Sequence, residues 1–194
     1  MIKAIQLIFA GPATWLRITE ARWGVLKVLL VLVLPLLLAS SLVEGYVLLH
    51  WGETRGEFRR VTMFSQEHIL RYEAGQVGLW LLMLFGGAKL VQWVADGFRC
   101  LPGYAACFRT VAYGLSPLLL MRFLDAVPGI TPWACWVLGA GLMVRALYHG
   151  VGMAMEPEQS SGFGLFLMVA ISLVILSGAN HALAGVLLHG KLLF

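Results

Sequence analysis

The sequence predicts an all-α integral membrane protein with five transmembrane helices and additional amphipathic helices at the membrane interface. The first observation is composition: 60% of the 194 residues are hydrophobic and only 12% are charged, whereas an ordinary soluble domain has about 25% charged residues. The second is a mean hydropathy of +0.84. A chain of this length with so little charge cannot cover its surface in water, so we expect it to lie in lipid.

The third observation is the spacing of the charged residues, which gives the order of the elements. Charge-free windows cover 28–43, 74–88, 110–121, 126–144 and 159–190. A membrane-spanning helix needs about 20 residues, and an arginine or lysine at a window's edge can extend its side chain to the headgroups, which lengthens the short windows. The predicted spans are about 25–47, 75–96, 105–126, 130–152 and 163–188.

The segment before the first span, residues 1–24, is predicted to lie on the cytoplasmic membrane surface. Gly11-Pro12 is a typical break, and Thr14 is a suitable N-cap for a short helix with Trp15 and Ile18 on one side. We expect no cleavable signal peptide, because the apolar run begins after residue 24 and exceeds the usual length of about 7–15 residues.

Two further segments, 51–73 and 189–194, are predicted to lie outside. In the 51–73 loop, Phe58, Val61 and Phe64 recur at near-helical spacing among charges, which favours a second interfacial helix over a solvated loop. Residues 189–194 are predicted to form an outer C-terminal tail.

Orientation follows from the lysine and arginine residues. Eight lie on the side of the N-terminus: Lys3, Arg17, Arg22, Lys27, Lys89, Arg99, Arg109 and Arg145. Six lie on the other side: Arg55, Arg59, Arg60, Arg71, Arg122 and Lys191. Since cytoplasmic loops carry the excess of these residues, we expect a cytoplasmic N-terminus and an external C-terminus in a bacterial inner membrane.

The third span is predicted to be a broken helix. Arg109 and Arg122 are separated by about 20 Å along a helix, so each can reach its own interface. Pro117 removes a backbone donor, so the helix should kink and the carbonyl near Tyr113 should need another partner, from Ser116 or a neighbouring helix. Freed backbone groups must face protein, which places these three residues toward the bundle interior. Ser116 lacks the glycine-flanked turn of a nucleophilic serine, so we do not expect catalysis.

Two polar residues within the spans are candidates for a functional site. Glu44 lies late in the first span and His181 lies in the outer half of the fifth, at similar depth, so they can pair. An intramembrane ionisable residue is a default candidate for a proton relay or ion site, while a satisfied structural role is the favoured interpretation of this pair. Neither a metal motif nor a cofactor motif is found, and Cys100, Cys107 and Cys135 are predicted to be packing residues.

Small residues in the spans indicate close helix packing. Gly178 and Gly185 in the fifth span, like Gly86 and Gly87 in the second, let helix backbones approach one another. With Tyr113, Ser116 and Pro117, the two fifth-span glycines are predicted to act as structural or partner contacts.

Three stretches resemble the Yip (Ypt-interacting protein) family of five-span membrane proteins, in particular its short bacterial members. They are "GPATWLRI" at 11–18, "VAYGLSPLLL" at 111–120 and "VPGITPW…LYHGVGMAMEP" from 127 to 157. The resemblance implies a cytoplasmic N-terminus, a C-terminus across the membrane, and relatives that bind Rab-type GTPases and one another in vesicle traffic. The acidic-Leu-Tyr-Gly-Pro motif is reduced here to Gly11-Pro12, so GTPase binding is not carried over.

Taken with the absence of catalytic and cofactor motifs, these features predict a non-catalytic membrane protein that binds partners. It would be an assembly or organising factor, or an accessory subunit of a larger complex, in contact with lipid and with other membrane proteins or a second copy of itself. The net charge of +4 is dispersed along the chain, so no nucleic acid partner is expected. The alternative is a small transporter or channel that uses Glu44, His181 and the kinked third helix, although no inverted repeat is evident.

Overall fold

The structure, a computed structural model, describes residues 11–55, 60–125, 127, 130–158 and 160–189. The described residues form six helices: α1 (Gly11–Glu20), α2 (Val25–His50), α3 (Gln66–Gly97), α4 (Tyr104–Asp125), α5 (Pro132–Met155) and α6 (Gly162–Leu188). Between α2 and α3 lies a short antiparallel hairpin of β1 (Glu53–Arg55) and β2 (Arg60–Thr62). Most of the predicted tail at 189–194 falls outside the described residues.

Among the described residues, four helices are long and apolar enough to cross a membrane: α2, α3, α5 and α6. Their long apolar runs leave large side chains exposed along the outside of the bundle, such as Leu42 on α2 and Ile175 on α6. Exposed apolar surface on this scale is typical of helices in contact with lipid. The all-α membrane fold predicted from composition is therefore confirmed.

The helix α4 lies at the centre of the bundle and is not among the four helices that are long and apolar enough to cross a membrane. Residues 110–119 are all buried, and α4 packs against α2, α3 and α5. It runs antiparallel to α5: Gly114 lies against Leu147, and Leu118 lies against Gly139. The span predicted at 105–126 is thus a helix with nearly the predicted bounds, surrounded by the other helices.

The second predicted interfacial helix, within 51–73, is not observed among the described residues of this range; Phe58, one of the residues that predicted it, lies outside them. Glu53–Arg55 and Arg60–Thr62 form the two strands of the hairpin, and α3 already begins at Gln66, where the Ser65 hydroxyl accepts a hydrogen bond from the His68 amide. Ser65 is a favourable N-cap residue, and the apolar face of α3 starts in its first turn at Ile69, which is buried. The charges of 66–73 therefore belong to the long helix α3.

The first helix packs its predicted apolar side against the bundle, while its position relative to a membrane surface stays a prediction. Trp15 and Ile18 are fully buried, and the Trp15 Nε1 donates a hydrogen bond to the Ala146 carbonyl of α5 at 2.8 Å. Gly150 makes the space, because a Cβ at this position would lie 2.3 Å from the Trp15 ring. The helix begins at Gly11, so Thr14 lies inside its first turn and is not the N-cap.

The buried apolar residues form two clusters that follow one another along the length of the bundle. The larger one contains residues of α1 to α6, including Leu37 of α2, Trp80 of α3 and Leu119 of α4. The smaller one lies toward the end where α2 finishes and α3 begins, and consists of Leu48, Ile69, Tyr72, Ala184 and Leu188. Each of α2 and α3 therefore passes from one cluster to the other, and the buried residues in between are the polar Ser40, Ser41 and Gln76.

Candidate functional site: a charged cluster between two apolar layers

The polar residues between the two apolar clusters come from three helices. We call Glu44, Tyr72, Glu73, Gln76 and Arg122 the charged cluster. Glu44 lies on α2 between Leu37 and Leu48, three members lie on α3 between Ile69 and Trp80, and Arg122 follows Leu119 on α4. On α3, the spacing of three and four residues places Tyr72, Glu73 and Gln76 close to one another.

Four of these side chains form a closed ring of hydrogen bonds. The Arg122 Nη2 donates to the Glu44 Oε2 at 2.7 Å and also to the Gln76 Oε1. The Tyr72 hydroxyl donates to the Glu44 Oε1 at 2.6 Å, and the Gln76 Nε2 donates to the Tyr72 hydroxyl at 2.9 Å. Charge-assisted bonds such as the one from Arg122 are stronger than neutral ones, so the ring ties α2, α3 and α4 together.

Burial makes the Arg122–Glu44 pair important for the whole cluster. The Arg122 side chain is 5% exposed and that of Glu44 is 14% exposed. Removing one partner of a buried ion pair leaves the other charge uncompensated. Because Arg122 is the one cation that contacts these carboxylates among the described residues, the cluster depends on it.

Glu73 is the second carboxylate of the cluster and is poorly paired. Its Oε2 lies 3.6 Å from the Arg122 Nη2, and neither oxygen has a hydrogen bond within the part of the chain that the structure describes. The Ser41 hydroxyl is close enough to interact with this carboxyl, but it too makes no hydrogen bond of normal geometry. The cluster therefore contains two carboxyl groups and a single guanidinium.

The structure corrects the predicted pairing of Glu44 with His181. Glu44 binds Arg122 and Tyr72, whereas the His181 ring packs against Trp133 and Trp136, with centroids 4.7 and 6.4 Å away. The prediction that Arg122 extends to the membrane interface is wrong for the same reason: two carboxyl groups face it inside the bundle.

Sequence reasoning missed three members of the charged cluster. Glu73 was assigned to the outer loop, and Tyr72 and Gln76 carried no recognised motif. One available signal was that Glu44 and Arg122 have opposite charges at corresponding depths of two helices that run in the same direction, which is the arrangement in which intramembrane charges pair.

The residues singled out in the third span all lie inside the bundle. Tyr113, Ser116 and Pro117 are buried in α4, and α4 continues through the proline. The Ser116 Oγ donates to the Tyr113 carbonyl at 2.7 Å, which is the carbonyl that Pro117 leaves without its usual amide donor. Tyr113 also makes an edge-to-face contact with Trp15, with centroids 6.3 Å apart. These three residues therefore stabilise α4 and its packing against the neighbouring helices.

The two fifth-span glycines differ in their surroundings. A Cβ at Gly178 would lie 3.2 Å from the Trp136 ring, so this glycine serves the contact between α6 and α5. No atom lies within 4 Å of a Cβ at Gly185 among the described residues. Gly178 is thus an internal contact, while the side of α6 at Gly185 is open.

Among the described residues, no group of three or more histidine, cysteine, aspartate or glutamate side chains is arranged to hold a metal ion. The charged cluster can hold a proton, an ion pair or a water molecule between its unpaired groups. No protein-family model, no curated protein and no solved structure matches the chain. The likeness to the Yip family therefore rests on the three sequence stretches alone.

Proposed function

We propose that the chain is a non-catalytic membrane protein of the Yip type that acts by binding other membrane proteins, as an assembly or organising factor or as an accessory subunit of a larger complex. One exposed side of α5 supports this proposal. We call it the α5 face; its members recur every three or four residues and are all exposed, namely Ala134, Leu138, Gly141, Arg145, Tyr148 and Gly152.

Arg145 is the observation that carries the proposal. It has neither an ion pair nor a hydrogen bond within the described residues, and its side chain is exposed. At 1.5 Å per residue it lies about 20 Å from the start of α5 and about 15 Å from its end. A charge at such depth is costly against lipid and is usually paired. A carboxylate on a partner helix would compensate it.

The two glycines beside Arg145 favour a helix as the partner. Beyond the neighbouring backbone, nothing described lies within 4 Å of a Cβ at Gly141 or Gly152. Small residues at this spacing let a second helix approach closely, and van der Waals contact is the main attraction between helices in lipid. The partner would be another membrane protein or a second copy of this chain.

The proposal includes five crossings, with α4 as the third. Its connections to α3 and α5 are short, at 98–103 and 126–131, and it runs antiparallel along α5. If α3 and α5 cross a membrane, α4 crosses with them. The N-terminus would be cytoplasmic and the C-terminus external, in a bacterial inner membrane. Arg122 is buried and Arg145 lies deep within α5, so neither is counted at a membrane surface, and the remaining lysine and arginine residues favour this orientation by seven against five.

Site-specific photocrosslinking at native expression tests the partner-binding function. A crosslinker at Leu138 or Tyr148 should capture protein, whereas one at the exposed Ile175 of α6 should capture lipid. Gly141→Leu and Arg145→Gln should abolish capture and co-purification in mild detergent. Gly86→Leu, at an equally open glycine of α3, is the matched control and should leave both unchanged. A chain that purifies alone and crosslinks only to lipid from every position would refute the proposal.

A second candidate function is a small transporter or channel, which the charged cluster favours because ionisable groups inside a membrane often mark an ion or proton path. The path would use Glu44 and Glu73 and the helix α4 at Pro117, with His181 held apart by the two tryptophans. The purified protein alone in liposomes should then carry protons or cations, and Glu44→Gln should stop the flux. Without any flux above that of empty liposomes, this candidate is excluded.

A further inference from the structure

We propose that Glu73 is a proton-binding site: its carboxyl carries a proton while Glu44 and Arg122 form the ion pair, and loss of that proton makes Glu73 a competitor of Glu44 for the guanidinium. This inference concerns the ionisation of the charged cluster and does not depend on which partner the α5 face binds.

The charge count is the first step. Arg122 provides one positive charge, and its Nη2 is 2.7 Å from Glu44 but 3.6 Å from Glu73. The single positive charge is therefore paired with Glu44 through Nη2, while the Nε and Nη1 of Arg122 make no hydrogen bond in the described structure. A second ionised carboxyl beside the first, in a poorly hydrated site, is unfavourable because like charges repel and neither is fully solvated. Neutralisation of Glu73 by a proton removes both costs.

The unpaired atoms around Glu73 are the second step. Both of its oxygens lack a hydrogen-bond partner in the described structure, as does the buried hydroxyl of Ser41, which faces the carboxyl from α2. A protonated carboxyl has one donor and an acceptor oxygen, and a serine hydroxyl is also both donor and acceptor. After a small rotation, a protonated Glu73 can donate a hydrogen bond to the Ser41 hydroxyl or accept one from it. An ionised Glu73 can only accept one.

Among the residues that the structure describes, the groups that face Glu73 supply no positive charge besides Arg122. From α2 come Ser41 and Glu44, with Gly45 alongside the carboxyl. From α3 itself come the neutral neighbours Tyr72 and Gln76, and α4 presents Arg122. The ionisable residue of α6 is His181, whose ring packs on Trp133. None of these groups replaces a proton on Glu73.

A proton fits this site better than a metal cation. Cations such as Ca²⁺ or Mg²⁺ need six or more oxygen ligands, while Glu44 is occupied by Tyr72 and Arg122. Any cation beside Glu73 would also lie close to the Arg122 guanidinium and be repelled by it. A proton needs a single oxygen and no shell of ligands. The same geometry explains the competition, because deprotonated Glu73 is already within reach of the Arg122 Nη2.

Infrared spectroscopy of the purified protein in nanodiscs tests the inference. The carbonyl band of a protonated carboxyl should be present at neutral pH, shift in D₂O, and be lost in Glu73→Gln. It should also be lost in Glu44→Gln, because Arg122 is then free to pair with an ionised Glu73. The control is Glu67→Gln, which removes an exposed carboxylate paired with Arg71 and should keep the band.

Labelling by an apolar carbodiimide provides a second readout that does not rely on a variant folding. The reagent adds to protonated carboxyl groups in apolar surroundings, so peptide mass spectrometry should find it on Glu73 and not on Glu44, with less label as the pH rises. A wild-type protein without the protonated-carboxyl band and without label on Glu73 would overturn the proposal. So would protection of Glu73 by sodium ions at constant pH, since the site would then bind a metal cation.

Discussion

Glu44 and Arg122 are 78 positions apart in the sequence, and their side chains meet at 2.7 Å inside the bundle. This contact joins α2, the first of the helices apolar enough to cross a membrane, to α4 at the centre of the bundle. Since Arg122 also bonds Gln76 of α3, a single guanidinium determines how three helices are placed relative to one another.

Substitution of Arg122 should therefore be the most damaging change in the charged cluster. Arg122→Met leaves Glu44 buried without its cation, and we expect a loss of about 3–5 kcal/mol in the free energy of unfolding. Chemical unfolding of the protein in detergent micelles measures it. Arg71→Met, which removes an exposed ion pair with Glu67, should cost about 0–1 kcal/mol. If the two residues pair, Glu44→Gln should be better tolerated in the Arg122→Met background than in the wild-type chain. A small effect of Arg122→Met, without this difference for Glu44→Gln, would contradict the pairing.

Gly150 should be essential for the docking of α1, whereas its neighbour Gly152 should not. In Gly150→Ala the new methyl group would overlap the Trp15 ring, at 2.3 Å, so Trp15 must leave its site or shift α5; overpacking of this kind costs about 1–3 kcal/mol. Trypsin cleavage at Arg17 should become faster. Gly152→Ala has open space and should be cleaved at the wild-type rate. Equal rates in both variants would mean that Trp15 is not held there.

The glycines Gly178 and Gly185 should differ in their effects. Gly178→Leu pushes against Trp136 and should destabilise the isolated protein by about 1–3 kcal/mol. Gly185→Leu enters open space, so it should leave the purified chain unchanged and affect only an association at that side of α6. Thermal unfolding of both variants in the same detergent makes the comparison. Equal destabilisation would show that α6 is covered at Gly185.

Ser116 and Pro117 should be energetically coupled. Ser116→Ala removes the donor to the Tyr113 carbonyl and leaves a buried acceptor unpaired, at a cost of about 1–3 kcal/mol. Pro117→Ala restores a backbone amide for that carbonyl, so Ser116→Ala should cost little in the Pro117→Ala background. A double-mutant cycle measures the coupling. Additive effects would show that the hydroxyl does not compensate for the proline. Tyr113→Ala should be worse than either, at about 3–5 kcal/mol.

The proposed topology predicts where reporters are active. A fusion at Phe194 should behave as external. Cys100 is buried, so the inner side is tested at the exposed Leu101: in Leu101→Cys, a cysteine reagent that does not cross membranes should react only from the cytoplasmic side. An even number of crossings, with Phe194 cytoplasmic, would mean that α4 does not cross with its neighbours.

Gaps between charges were sufficient to locate most helices. The predicted spans at 163–188 and 105–126 differ from α6 and α4 by only one residue at an end, because an apolar run of bilayer length has few alternatives to a helix. The start of α3 was missed by nine residues, since Glu73 was taken as a loop charge. Glu73 lies inside because α3 packs against α2 and α4 at this point, and no local pattern reports neighbours on other helices.

The docking of α1 was missed for a similar reason. Trp15 and Ile18 gave the expected amphipathic pattern, but such a pattern does not distinguish a lipid surface from a protein surface. The deciding feature is the space at Gly150, more than a hundred residues away. Hydrophobic periodicity shows which side of a helix is buried, while the identity of the covering surface comes from the tertiary structure.

The contact between Trp15 and Ala146 spans 131 positions and therefore has a consequence for biogenesis. Residue 146 leaves the ribosome long after α1, so Trp15 lacks its binding site on α5 while the earlier helices insert. During this interval we expect the indole to lie among the lipid headgroups, where tryptophan is well accommodated. The hydrogen bond can form only after α5 has been inserted. The packing of α1 on α5 is therefore a late step of assembly and a marker that the bundle is complete.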